Sequence, residues 1–223
     1  MEQKFQMIKE TVEKELSCSA HNMDHVMRVY HLCMHLAKDE TLDMEVLQAA
    51  ALLHDIARVR EDNDHTGKTD HALLSAEMAE PILKNLGFSD QKIKHVQDCI
   101  VSHRYRTGNT PKTIEAGILF DADKIDVLGA IGVARVFVWV GRNKANIYKK
   151  VNIDEYIKEN LNGRINGRIN DKTKHSPQIE YETKVKFILD KLHTKKGKEY
   201  GKERLEYFKN FLDRLEKEVK GEL

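Results

Sequence analysis

The chain has 223 residues, of which 40% are hydrophobic and 33% are charged, with only 3 Pro and 12 Gly. This composition is typical of a soluble helical protein with a substantial core, because a sheet protein needs more turn residues. The sequence shows no basic-then-apolar leader and no apolar run of about eighteen residues, so we expect no signal peptide, no membrane span and a cytoplasmic location.

The net charge of +1 is unevenly distributed along the chain. Residues 1–139 carry 16 Lys and Arg against 22 Asp and Glu, whereas residues 140–223 carry 21 against 14. Lysines of the basic part alternate with glutamates, as in KERLEYFKNFLDRLEKEVK, which is typical of a solvated helix face. We therefore do not expect a nucleic-acid partner.

Apolar residues that recur every three or four positions predict helices over residues 2–16, 24–38 and 43–58. The stretch VREDNDHTGKTD, residues 59–70, has almost no apolar residue and contains Gly67, so it is predicted to be a loop. Because it directly follows a polar pair at the end of the third helix, it could serve as a lid or be an ordinary solvated loop.

Helix signals continue through the middle of the chain. A helix over 71–86 is predicted to end at Gly87, and Ser89 or Asp90 is predicted to cap the next one, which runs to about His103. After the loop RYRTGNTP, the pattern from Ile114 to about Gly141 is the most apolar of all. It predicts one long helix at the centre of the domain.

The last third of the sequence is less apolar and contains an Asn- and Gly-rich stretch. Residues 160–178, with the tandem NGRINGRIN, are predicted to form an exposed loop. Amphipathic helices are predicted over 179–193 and 198–220, and they could pack on the core or form a homodimer. The prediction is therefore one all-α domain over residues 1–223, with a C-terminal helical extension over about 145–223.

The three cysteines occur singly in helical patterns, with no paired spacing. This usage predicts buried thiols in a reducing compartment rather than disulfides. The residues are Cys18, Cys33 and Cys99.

Four polar residues stand out because they lie at or near apolar helix faces. His25 is in phase with the core side of its helix, His54 and Asp55 end an apolar run, and Asp123 lies within the most apolar segment. Two imidazoles and two carboxylates make a donor set suited to a divalent transition metal with open positions for water. Taken singly, a histidine at the edge of a core is more often a hydrogen-bonded structural residue than a ligand, and an aspartate at a helix end is often only solvated.

Five stretches in order, HNMDHVMRV, AALLHDIAR, HALLSAEMAEPIL, CIVSHRY and LFDADKIDVLGAIGVAR, resemble the successive motifs of the HD superfamily of metal-dependent phosphohydrolases. The resemblance covers about residues 20–140 and is strongest to the small bacterial single-domain branch. It implies an HD-domain helical bundle.

The resemblance implies that His25, His54, Asp55 and Asp123 bind one divalent ion, with Mn, Ni, Co, Fe, Zn or Mg as candidates. His71 and His103 match positions that complete a second site in two-metal members and could instead contact substrate. The family often has two histidines at the latter motif, but this chain has His-Arg. That difference leaves the second ion open and makes Arg104 a candidate phosphate contact.

A divalent ion lowers the pKa of bound water and polarises a phosphoryl oxygen, which favours hydrolysis of phosphoester or phosphoanhydride bonds. Arg28 and Lys124 are candidates for binding the charged phosphate, although either could be ordinary surface charge. Asp55, Glu77 and Lys124 are the residues expected to act in catalysis, with Glu77 as a base or orienting group, or one partner of a surface ion pair.

The expected substrate is a small phosphorylated molecule, above all a nucleoside triphosphate. Two alternatives stay open at this point: a ligand-sensing HD module without turnover, and a di-iron oxygenase on the same scaffold. The complete set of four ligands disfavours the first alternative, and the His-Arg sequence at 103 and 104 disfavours the second.

Overall fold

The structure of the protein, a computed structural model, describes residues 2–16, 23–104 and 108–223. Within these ranges all regular secondary structure is helical, which confirms the predicted all-α class. The helices fall into two units, Met1–Asp123 and Lys124–Leu223.

The helices of the first unit follow the predicted order. They are α1 Gln3–Glu15, α2 Met23–Leu36, α3 Met44–Leu53, α4 Arg58–Asp62, α5 His71–Asn85, α6 Asp90–Ser102 and α7 Ile114–Ile125, whose last two residues belong to the second unit.

Helix α3 is the centre of the first unit. Every side chain from Ala49 to Leu53 is fully buried, and the helix packs against α1, α2, α5 and α6. Asp43 caps its N-terminus by accepting hydrogen bonds from the backbone N–H groups of Glu45 and Val46. A helix that is apolar on all sides requires such a buried position.

The predicted helix over 43–58 is too long, because α3 ends at Leu53. Residues 54–57 form a turn in which the N–H of Ile56 bonds to Leu53 and that of Arg58 bonds to Asp55. His54 and Asp55 therefore lie in a tight turn between α3 and α4, not on a continuous helix.

The predicted loop over 59–70 is wrong for its first part, since Arg58–Asp62 is helical. The rest is organised by Asp64, whose carboxylate accepts hydrogen bonds from the backbone N–H groups of Thr66, Lys68 and Thr69. The segment between α4 and α5 thus has a defined turn.

The predicted helix ends around α5 and α6 are confirmed. Gly87 has φ +76° and follows the last turn of α5, with the N–H of Phe88 bonded to the carbonyl of Leu83. Ser89 caps α6, its hydroxyl accepting a hydrogen bond from the N–H of Lys92.

The single helix predicted from Ile114 to Gly141 is two helices, α7 and α8, and α8 spans Gly129–Arg142. The break occurs at Leu128, which is extended, and at Gly129, whose φ of +64° favours glycine. Apolar periodicity continued through this break, so the pattern alone could not reveal it.

The second unit contains α8, α9 Ile153–Asn160, α10 Pro177–Thr183 and α11 Lys195–Val219, with 3₁₀ turns at Lys172–Lys174, Val185–Phe187 and Leu189–Lys191. The helix predicted over 179–193 is therefore a short helix followed by two turns. The helix predicted over 198–220 is present and begins three residues earlier.

The end of the predicted exposed loop over 160–178 is buried instead. His175, Ser176 and Gln178 at this end are each at most 7% exposed, and so is Asn160 at the start of the range. The hydroxyl of Ser176 caps α10 by accepting a hydrogen bond from the N–H of Ile179. Asn- and Gly-rich composition predicted a loop correctly for residues 162–168 but did not indicate its buried end.

A polar chain holds this buried end. Asn160 donates to the hydroxyl of Tyr156, which lies 2.8 Å from Nδ1 of His175 and donates to it. Nε2 of His175 donates to Glu180 at 3.0 Å, and Lys184 donates to the same carboxylate at 2.6 Å. Burial alone would raise the pKa of Glu180, but Lys184 and His175 outweigh it and lower the pKa from 4.5 to about 2.

We expect Glu180→Gln to lower the free energy of unfolding by roughly 2–3 kcal/mol at pH 7. The pKa is lowered in the folded protein, so the contribution of Glu180 is complete above the unfolded value of 4.5 and is lost as pH falls toward 2. Urea unfolding at pH 7, 5 and 3.5 measures the difference in unfolding free energy between the variant and the unsubstituted protein. This difference should become smaller as the pH falls.

The matched control is Glu182→Gln on the same helix, because Glu182 is 41% exposed and pairs with the exposed Lys186. Its expected loss is below about 1 kcal/mol at every pH. A difference between Glu180→Gln and the unsubstituted protein that stays constant from pH 7 to 3.5 would contradict an ionised Glu180 held by Lys184 and His175.

No helix in the described ranges is long and apolar enough to cross a membrane. Cys33 and Cys99 are buried free thiols, as predicted, and burial raises the pKa of Cys99 to about 12. Cys18 lies outside the described residues, as do residues 105–107 of the predicted loop after α6.

Candidate metal centre

His25 projects from α2 and is 5% exposed. Its Nε2 atom lies 3.3 Å from Oδ1 of Asp123 on α7 and 3.6 Å from Oδ2 of Asp55. These two carboxylates come from elements that are distant in sequence. The helix phase predicted that His25 faces the core, and the structure agrees.

His54 is fully buried in the turn after α3. Its Nδ1 atom donates to the carbonyl of Ala51 at 2.9 Å, an assignment that leaves Nε2 with a bare lone pair. Nε2 lies 3.5 Å from Nε2 of His25 and 3.9 Å from Oδ2 of Asp55. Burial lowers the pKa of His54 to about 4, so its imidazole is neutral at pH 7, as a metal ligand must be.

Asp55 is shared between two sets of imidazoles. Its Oδ2 faces His25 and His54, whereas its Oδ1 lies 3.3 Å from Nε2 of His71 and 3.6 Å from Nε2 of His103. Burial alone would raise the pKa of Asp55, but the surrounding imidazoles hold it well below the ordinary range. The carboxylate is therefore ionised at neutral pH and contributes negative charge to both sets.

His71 and His103 complete the second set. Their Nε2 atoms are 3.3 Å apart, and both side chains are buried. His103 ends α6 and donates from Nδ1 to the carbonyl of Ile100. Burial lowers the pKa of His71, although Asp55 opposes this effect.

Within the described ranges, two groups of donors have ligand atoms that all lie within 4.8 Å of one another: His25 with His54 and Asp55, and Asp55 with His71 and His103. Ligand atoms bound to one ion at about 2.0–2.2 Å stand roughly 3–4 Å apart. The observed separations are close to this spacing. Neutral imidazoles that bring bare nitrogens together repel unless a proton or a cation lies between them.

The donor types agree with this geometry. Nitrogen and carboxylate oxygen together suit Zn, Mn, Fe, Co or Ni. The residues therefore fit a divalent ion, and the sharing of Asp55 provides for a second one. Asp123 contacts His25 of the first group, but it does not belong to either of the two three-residue groups.

The remaining predicted site residues differ in how exposed their side chains are and in what they contact. Arg28 is half-buried one turn after His25, Glu77 is exposed on α5, and Lys124 is half-buried directly after Asp123. Arg104 lies 2.8 Å from carboxylate oxygens of both Glu61 and Asp70. The structure thus brings the six predicted His and Asp residues together and leaves Glu77 on the surface; the roles of all these residues stay predictions.

Glu61 lies in the segment predicted to be a loop, and the sequence pattern gave it no role in the site. Its Oε2 accepts a hydrogen bond from Nδ1 of His71 at 2.7 Å, and Arg58 lies 3.0 Å away. Burial alone would raise the pKa of Glu61, but His71, Arg58 and Arg104 lower it. The helical spacing of Arg58 and Glu61 was the only local signal for this arrangement.

Comparison with known proteins identifies relatives of this chain. The model of the HD domain family matches residues 22–128. An uncharacterised protein of Bacillus subtilis (strain 168), YpgQ, is 25% identical over 207 residues, which cover 91% of this chain and 86% of the relative.

Solved structures share the fold. An HD-superfamily hydrolase from Bacillus thuringiensis matches with a TM-score of 0.71 and 24% identity, and the match covers 97% of each chain. The crystal structure of B. subtilis YpgQ in complex with ADP matches with a TM-score of 0.68 and 22% identity, over 96% of this chain and 94% of that one.

Proposed function

We propose that this chain, which carries an HD domain over residues 22–128, is a metal-dependent phosphohydrolase acting on a small phosphorylated substrate. The observation that carries the proposal is the buried cluster in which Asp55 is shared by two sets of imidazoles. Such a cluster of titratable groups is costly to bury unless cations balance it.

His25, His54, Asp55 and Asp123 would hold the first ion, which would supply an activated water and polarise a phosphoryl oxygen. The chain's own part is positioning: the turn at residues 54–57 places Asp55, and the carbonyl of Ala51 orients the His54 ring. Asp55 stays ionised throughout, because its pKa lies well below neutrality.

Cationic side chains would neutralise charge on the phosphate. Arg28 stands one helical turn from His25 and is half-buried, which suits a residue that binds an anion next to the cluster. Lys124 is proposed for the same role because it adjoins Asp123 in sequence. Arg104 has five N–H donors, so it can hold Glu61 and Asp70 and also contact a phosphate oxygen.

We propose a nucleotide as the substrate. The support is that YpgQ, a relative with the same fold, has a crystal structure in complex with ADP. Cleavage of a nucleoside triphosphate could release pyrophosphate or orthophosphate, and the choice depends on which phosphorus the water attacks.

The assay uses the full chain, stripped with chelator and reloaded with Mn²⁺, Co²⁺ or Ni²⁺. A panel of nucleoside triphosphates and p-nitrophenyl phosphate is incubated with each form, and both phosphate and pyrophosphate are detected. We expect metal-dependent release from at least one nucleotide. Absence of turnover with every metal and substrate would refute the hydrolase; tight nucleotide binding without turnover would favour a ligand-sensing module.

The group of Asp55, His71 and His103 favours a second candidate, a di-iron oxygenase, because it provides for a second ion beside the first. An iron content near two per chain, with oxygen consumption and no phosphate release, would support it. One or two non-redox ions per chain with phosphate release would support the hydrolase.

A further inference from the structure

We infer that Glu61 is a positioning residue for His71, fixing the imidazole so that Nε2 faces Asp55 and His103. The orientation itself is independent of any activity. Its consequence for catalysis rests on the proposed phosphohydrolase function.

His71 needs a partner that His54 and His103 do not. His54 and His103 follow helix C-termini, where the carbonyl three residues earlier accepts the Nδ1 proton. His71 is the first residue of α5, preceded by the N-cap Asp70, whose carboxylate is occupied by the N–H groups of α5. No helical turn precedes His71, so a side chain from another element must orient its ring.

Glu61 supplies that side chain from α4. Its Oε2 lies 2.7 Å from Nδ1 of His71, whereas Nη1 of Arg58 lies 3.2 Å from the same nitrogen. A guanidinium can only donate, and an ionised carboxylate can only accept, so the two contacts require opposite states of Nδ1. The shorter, charge-assisted contact places the proton on Nδ1 and leaves Arg58 in an ion pair with Glu61, at 3.0 Å.

Glu61 is itself held on both sides. Arg58 contacts Oε2, and Nη1 of Arg104 lies 2.8 Å from Oε1. Arg104 also contacts Asp70 at 2.8 Å, and Asp70 caps the helix that begins with His71. This clamp joins α4, the start of α5 and the end of α6, so the carboxylate has little freedom to leave the ring.

With the proton on Nδ1, the lone pair of Nε2 is directed toward Oδ1 of Asp55, 3.3 Å away. A carboxylate behind a ligating imidazole fixes the tautomer and raises the basicity of the ligand, and its loss typically weakens metal binding 10–100-fold. Glu61 thus prepares His71 to bind a cation.

The first test reads the tautomer directly by long-range ¹H–¹⁵N NMR of the full chain labelled at histidine, with His71→Gln used to assign the signals. We expect His71 to carry its proton on Nδ1 in the unsubstituted protein and to lose this preference in Glu61→Ala. Glu61→Gln, whose amide oxygen can still accept, should restore it. The matched control is Asp62→Ala, since Asp62 contacts Arg58 from the same helix.

A His71 proton on Nε2 in the unsubstituted protein would overturn the inference. So would a His71 tautomer that Glu61→Ala leaves unchanged. Because no substrate is involved, a correct tautomer result together with absent turnover would refute the proposed function while leaving the role of Glu61 intact.

The second readout is a Zn²⁺ titration followed through the same imidazole signals. Glu61→Ala should weaken the response of His71 and His103 about 10–100-fold and leave His25 and His54 unchanged. Equal weakening at all four histidines, or none at His71, would overturn the positioning role.

Discussion

Asp55→Ala is expected to lower phosphate release about 10³-fold or more, the order found when one member of a catalytic unit is removed. The reason is geometric, because Oδ2 faces His25 and His54 while Oδ1 faces His71 and His103. Without this carboxylate, the two donor groups lose their shared anion together. Metal content per chain should therefore fall along with turnover, as measured by elemental analysis of the purified protein.

Asp55→Asn gives a second version of this test with the side-chain volume retained, so a loss in both variants cannot be attributed to a cavity. The control is Asp98→Asn, an exposed carboxylate that pairs with Lys94. Its turnover and metal content should match the unsubstituted chain. Full activity in either Asp55 variant would refute the hydrolase mechanism.

His54→Ala is expected to lower the melting temperature more in metal-loaded protein than after chelation. An ion present at 100 times its dissociation constant stabilises the folded state by about 2.7 kcal/mol, because it binds only that state. Loss of this stabilisation lowers the melting temperature by roughly 5–10 °C for a chain of this size. The chelated protein should still lose stability, since the variant leaves a cavity and removes the donor to Ala51.

The informative quantity is the difference between the two conditions, measured by thermal unfolding with Mn²⁺ and with chelator. His31→Ala is the control, because His31 lies on the exposed face of α2. It should show the same melting temperature shift in both conditions. Equal losses for His54→Ala with and without metal would count against His54 as a ligand.

Much of the fold was predictable from local patterns. Apolar periodicity located α1, α2, α5 and α6, and Gly87 and Ser89 marked helix ends through their own backbone chemistry. Periodicity failed at residues 54–57 and at Gly129, because a turn between two apolar segments leaves the pattern of buried positions almost unchanged. It also failed at His175, whose burial depends on Tyr156 and Glu180 rather than on its neighbours.

The candidate metal ligands and their order can be recognised without coordinates, because each stands in a recognisable motif: His25, His54, Asp55, His71, His103 and Asp123. Side-chain chemistry and local apolar context are properties of short stretches, so they can be seen without coordinates. By contrast, the position of Asp55 between two sets of imidazoles and the contact between Glu61 and His71 are visible only in the folded chain. Those relations are distances between residues far apart in the chain. They arise from how α1, α2, α5 and α6 pack around the buried α3 and from how α4 packs on α5.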